Sequence, residues 1–201
     1  MSVLAAQSLA SQLLALAALY NATGGASWRN NSGWRPNDSN ANPCGGGQQW
    51  FGLECQGGRS VAALSLSGNR LQGTLPTEIG ASNLTGTINM AHNPGLSGTL
   101  PSELGLVQTL SGGIYMQSSG ISGTLPSELG FLTALGTRGL AFSSTLDFAR
   151  MPISGSLPSE LGRLTGLRGS VYVDRMPVSG TLPSQLGRLT ALTGSVYIEK
   201  V

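Results

Sequence analysis

Charge is scarce in this sequence: of 201 residues only 11 are basic and 9 acidic, leaving a net charge of +2. With no block of Lys and Arg to neutralise a run of phosphates, nucleic-acid binding is excluded as a function class. Histidine and cysteine are nearly absent too. The single His92 and the two cysteines cannot assemble a four-ligand zinc site, and the cysteines are not spaced as C-x-x-C. One histidine, without a nucleophile elbow or a phosphate-cradling G-x-x-x-x-G-K-[ST], gives catalysis no foothold, so neither enzyme activity nor a cofactor is expected. The longest apolar run, Leu9 to Tyr20, is broken by Ser11 and Gln12 and falls short of a bilayer span, so no membrane insertion is expected. No Lys or Arg precedes Arg29, so the positive start of a secretion signal is missing. Residues 1–18 are therefore predicted as a helix of the mature protein. Its apolar stripe is Leu9, Leu13, Leu14, Leu16, Ala17 and Tyr20, and Gly24 with Gly25 ends it.

What the chain does have is glycine, 30 copies, and a repeated phrase. S-G-T-L-P-S-E-L-G or a close variant occurs at 72–80, 97–105, 122–130, 154–162 and 179–187. Its prolines Pro76, Pro101, Pro126, Pro158 and Pro183 are 25, 25, 32 and 25 residues apart. Ahead of each phrase lies an alternating apolar pair: Leu64/Leu66, Ile88/Met90, Ile114/Met116, Leu146/Phe148 and Val171/Val173, with Val196/Ile198 beginning another unit. Two-residue alternation is the mark of a strand with one buried face, and stacked identical units set such strands parallel. After a proline at a first helical position, S-E-L is long enough for one tight turn, which Gly closes. The 32-residue unit carries seven extra residues, Gly136 to Phe142, expected to bulge before its strand. Pro94 is an insertion offset by a deletion around 81–84, where local distortion is expected.

A period of 25 lies in the leucine-rich-repeat range, and the motifs narrow the resemblance further. L-S-L-S-G-N-R-L-Q-G-T-L-P from Leu64 to Pro76 is similar to the plant-type repeat of receptor-kinase ectodomains and polygalacturonase-inhibitor-like proteins. The stretch from Leu14 to Gly25, with Trp28, Asn30 to Trp34, Pro43-Cys44 and Trp50 to Cys55, resembles that family's N-terminal cap. The resemblance implies an α/β solenoid: a right-handed leucine-rich-repeat superhelix with a concave parallel β-sheet, short 3₁₀ turns on the convex side and a helical cap. Residues 1–60 form the cap, and 61–201 hold five repeats and the first strand of a sixth, without a C-terminal cap. Such an end suggests a piece of a longer array and an edge open to end-to-end association. The consensus Asn is present as Asn69 and Asn93 but becomes Ser119, Met151 and Met176, so its ladder is expected to be incomplete. Cys44 and Cys55 are read as a structural disulfide in preference to free thiols, which implies an oxidising compartment. Asn21, Asn30, Asn37 and Asn83 each begin a glycosylation sequon.

Residues of each strand that face away from the core have no packing duty and are the candidate ligand strip. They are Tyr115, Gln117, Asp147, Arg150, Tyr172, Asp174, Arg175, Tyr197, Glu199 and Lys200, giving way from small groups near the cap to aromatic and charged ones. Arg150, Arg175 and Lys200 are expected to stack one strand apart, beside the compensating Asp147, Asp174 and Glu199. Glu78, Glu103, Glu128 and Glu160 form a column on the convex turns with a solvated, structural role. The sequence thus predicts a secreted or cell-surface recognition module for a protein, peptide or glycan, in signalling or defence. The alternatives are a scaffold without a specific ligand and ice binding through the hydroxyl column of Thr74, Thr99, Thr124, Ser156 and Thr181.

Overall fold

The computed structural model describes residues 3–38, 41–45, 49–58, 60–137 and 144–199. Helix α1 (Val3–Ala22) leads, and left-handed Gly24 (φ 68) turns the chain out of it. Ala15, Leu16 and Leu19 are its buried stripe. Leu14, assigned by periodicity to that stripe, is instead 69% exposed, because Leu13 and Leu16 already bracket the face that meets the first repeat. Gln12, which interrupts the apolar run, is buried and donates to the Val61 carbonyl at 2.9 Å while accepting the Val61 N–H at 3.1 Å. Its amide therefore satisfies both backbone groups of a residue in the first core strand. Tyr20, Trp28, Trp34 and Trp50 close the cap as a ring cluster, with successive tryptophan centroids 4.9 and 4.8 Å apart.

Seven strands form the main sheet, in the order β1 (Leu53–Gln56), β2 (Ser60–Ser65), β4 (Ile88–Asn89), β6 (Ile114–Tyr115), β7 (Leu146–Asp147), β8 (Val171–Tyr172), β9 (Val196–Tyr197). β1 runs antiparallel to β2 and the rest are parallel. A second, two-stranded sheet pairs β3 (Gly73–Thr74) with β5 (Leu96–Ser97), and isolated bridges continue it through Thr99–Ser122, Gly123–Ile153 and Gly155–Val178. The predicted core pairs are buried, from Leu64 and Leu66 to Val171 and Val173. The leucines of the repeated phrase fill the space between sheet and convex turns as one continuous core.

The convex side consists of 3₁₀ turns over Thr77–Ala81, Ser102–Leu106, Ser127–Phe131, Ser159–Arg163 and Ser184–Arg188. In each, proline stands one residue earlier than the sequence suggested: it is the extended N-cap, and its carbonyl accepts the first turn bond, as from Leu104 to Pro101 at 3.1 Å. The 32-residue unit does not disturb the register, since Ile114 pairs Leu146 and Tyr115 pairs Asp147. Of its extra segment, Gly136 and Thr137 continue the turn after Leu135, and 138–142 lie outside the described residues. The deletion at 81–84 shows as a left-handed Asn83 (φ 49).

The asparagine ladder is incomplete, as expected. Asn93, fully buried, donates to the Leu66, Met90 and Ala91 carbonyls and accepts the Leu71 N–H. Asn69 ties the repeats to the cap by exchanging two bonds with the Asn30 backbone. Beyond them the position goes over to apolar packing: Ser119 is buried with its hydroxyl unpartnered among the described residues, and Met151 and Met176 are buried.

Candidate functional site

On the concave face the side chains fall into three rows set by the parallel register. The first runs Asn89, Tyr115, Asp147, Tyr172, Tyr197. The second, two residues further along each strand, runs Ala91, Gln117, Ala149, Asp174, Glu199. Backbone bonds from Ser118 to Ala149, Arg150 to Asp174 and Arg175 to Glu199 extend the ladder that far. The third holds the residue that leaves the sheet: Gly68, His92, Ser118, Arg150 and Arg175, all left-handed with φ from 54 to 61°. Non-glycine residues in that region carry roughly 1 kcal/mol of strain each, so this turn is imposed by the stacked ladder and not by local preference.

Because Ala149 is small, the second row has a gap between Gln117 and Asp174. That gap opens a cavity of ≈ 280 Å³ lined by His92, Gln117, Ser118, Asp147, Ala149, Arg150, Tyr172 and Asp174. Tyr172 and Asp174 also line a second cavity, of ≈ 400 Å³, with Tyr197 and Glu199. His92 also lines a third, of ≈ 340 Å³, with Arg29, Arg70 and Gln72 at the cap end. Shared residues set the three side by side, with His92 lining the first and third and Tyr172 and Asp174 lining the first and second, as a trough of adjoining depressions. Its rim ends in stacked rings, Tyr172 on Tyr197, with centroids 4.5 Å apart and planes 2° from parallel.

Asp147 is the electrostatic centre of the trough. Burial pushes its carboxyl above the ordinary value of 3.8, against the lowering effect of the Ala149 N–H that it accepts at 3.1 Å; the Asp174 charge raises it further, while His92 and Arg150 lower it. Beside it, Gln117 Oε1 is shut off from solvent and has no hydrogen-bond partner among the described residues.

Of the predicted strip, Gln117, Asp147, Arg150, Tyr172 and Asp174 converge on the central cavity, and Tyr197 and Glu199 on its neighbour. Tyr115 and Arg175 line neither, and Lys200 lies outside the described residues. Arg150 and Arg175 are exposed at the rim. Sequence reasoning left His92, Ser118 and Ala149 out of the site. The signal for the first two was their shared register with Arg150, and for Ala149 its smallness between two long polar side chains.

Cys44 and Cys55 form a disulfide with Cα atoms 5.7 Å apart. Asn21, Asn37 and Asn83 are exposed, and Asn30 is half-buried against Asn69. The Thr column borders a separate cavity of ≈ 660 Å³ beside the second sheet. Thr74, Thr99 and Thr124 each set a methyl against the next repeat's Gly98, Gly123 or Gly155, which is a packing role. Among the described residues no helix is long and apolar enough to cross a membrane.

The Leucine Rich Repeat family model matches residues 60–82. A probable leucine-rich repeat receptor-like protein kinase of Arabidopsis thaliana is 36% identical over 64 residues, 32% of this chain and 6% of that protein. Among solved structures, the ectodomain of the Arabidopsis thaliana receptor kinase GASSHO1/SCHENGEN3, in complex with Casparian strip integrity factor 2, superposes with a TM-score of 0.75. It is 25% identical and covers 93% of this chain and 21% of its own. The plant peptide hormone receptor RGFR1, in complex with RGF2, gives a TM-score of 0.59 at 26% identity over 67% of this chain and 20% of its own. The chain thus spans a small part of the length of each of these proteins.

Proposed function

We propose that this chain, a plant-type leucine-rich-repeat solenoid with an N-terminal cap, is an extracellular recognition module that holds a peptide or protein segment along its concave trough. The observation that carries this reading is the adjacency of three cavities that share His92, Tyr172 and Asp174. A row of linked depressions along a rigid sheet suits an extended chain, whose side chains enter successive depressions while its backbone crosses the strands. The two solved receptors above were each captured with a partner, which supports a binding role for the same architecture. The module binds and does not catalyse. A disulfide and exposed sequon asparagines support an oxidising, extracellular setting and a part in signalling or defence.

The test is selection of a displayed random peptide library on the purified protein, followed by titration of the enriched peptides against Tyr172→Ala. The stacked ring borders two cavities, so its loss should weaken binding at least about tenfold with the thermal transition unchanged. Binding by Tyr172→Ala and Arg150→Ala at full strength would remove the trough as the site. No enrichment from the peptide library would favour a scaffold without a specific ligand. Saturable, Tyr172-dependent binding on a glycan array alone would replace the peptide with a glycan.

A further inference from the structure

The trough's central cavity has a composition that points to one class of occupant. Its half-buried charged groups are the carboxylates of Asp147 and Asp174, while its basic side chains, Arg150 and His92, are exposed. Among the described residues, the one hydrogen bond that Asp147 takes part in is the one it accepts from the Ala149 N–H. Among the described residues, neither Asp147 nor Asp174 has a cationic nitrogen within 4.0 Å. The protein's own cations act on Asp147 only through space, and more weakly than burial and the Asp174 charge together, so its carboxyl stays above its usual range. Two half-buried carboxylates around a void lack one thing, a positively charged donor at ion-pair distance. Among the described residues no three His, Cys, Asp or Glu side chains are grouped as metal ligands. An anion would meet the two carboxylates, with only the exposed Arg150 and His92 to offset them, and an apolar group would leave both carboxylates without an ion-pair partner.

We propose that this cavity is a subsite for a cationic side chain, Arg or Lys, of the bound segment, seated over the Ala149 methyl between Asp147 and Asp174 and beside the Tyr172 ring. The assignment rests on the concave-trough reading and specifies its chemistry. A guanidinium or ammonium donates to both carboxylates, and an aromatic ring borders the same space. Ala149 matters by being small: a larger residue in that row would fill the gap.

The cavity can be probed with capped amino acids, independently of any natural ligand. N-acetyl-arginine amide, N-acetyl-lysine amide and the neutral, near-isosteric N-acetyl-citrulline amide are titrated into labelled protein, and the Gln117 side-chain amide and Ala149 methyl signals are followed by NMR. The expected result is saturable shifts with arginine or lysine amide, at least tenfold weaker binding of citrulline amide, and at least tenfold weakening in Asp147→Asn/Asp174→Asn. Saturation by only one of the two cations also supports the subsite and identifies its head group. Equal binding of the arginine and citrulline probes, or unmoved Gln117 and Ala149 signals, overturns it. So does a set of library-selected, Tyr172-dependent peptides without Arg or Lys, an outcome that leaves the trough reading standing. Asp147→Asn keeps the fold testable, because Asn89 at the same register position already accepts the Ala91 N–H in the same way.

Discussion

Asp147 and Asn89 occupy the same row of the concave face and make the same bond, each side-chain oxygen accepting the N–H two residues on at 3.1 Å. What separates them is charge. Burial raises the Asp147 carboxyl above 3.8, so the folded protein holds this proton more tightly than the unfolded chain does. The sign follows from linkage: whatever stability Asp147 contributes is fully present below the unfolded value and declines as pH rises through the folded one. Asp147→Asn should therefore raise the melting temperature at neutral pH, by about 1–3 °C for a partly exposed group in a chain of this size. The gain should vanish once the pH falls below 3.8. Thermal scans across pH check this, and a lower melting temperature at pH 7 would mean that a partner already neutralises the carboxylate. Residues of this kind were only half legible. Alternation placed Asp147 on the open face, but its burial depends on the flanking strands, where Tyr115 and Tyr172 of the units before and after it stand at the same register.

The convex turns show how one short element is decided twice over. S-E-L-G reads as a single tight turn closed by glycine, and such a turn forms. The stronger reason for the glycine comes from the next repeat. A Cβ on Gly80, Gly105, Gly130 or Gly162 would lie 2.2–2.5 Å from the backbone oxygen of Glu103, Glu128, Glu160 or Gln185. Gly187, in the same phrase, has nothing within 4 Å. Gly105→Ala should therefore cost about 2–4 kcal/mol, since a backbone carbonyl cannot step aside as a side chain can. Gly187→Ala should stay within about 0.5 kcal/mol of the parent. Urea unfolding of the two variants compares them, and equal losses would show that the glycine serves its own turn and not the stacking.

At the scale of the whole molecule, each unit touches only its neighbours, so stability is distributed along an axis. The cap end is held by three independent devices: the Gln12 clamp on Val61, the Asn69–Asn30 exchange and the Cys44–Cys55 bridge behind β1. Reduction should remove roughly 3 kcal/mol, the chain-entropy value for so short a loop. It should do so locally: hydrogen exchange is expected to quicken in β1 and β2 and stay unchanged in β7 and β8. An equal rise in all strands would show that the solenoid unfolds as one cooperative unit.

By itself the sequence determined the architecture, because a period of 25 repeated with its leucines, glycines and prolines in phase can bury those leucines only by stacking. The row of open-face residues came with it, since alternation on a strand assigns every second side chain to the outside. Tertiary structure alone decided which of those residues meet. Gln117, Asp147 and Asp174 belong to three different units, and they surround one cavity because parallel pairing sets Ala149 between two of them. The same holds for His92, whose left-handed turn carries it into two depressions at once. Periodicity along a chain names the face; which side chains adjoin across it depends on register and on the sizes of residues far apart in sequence.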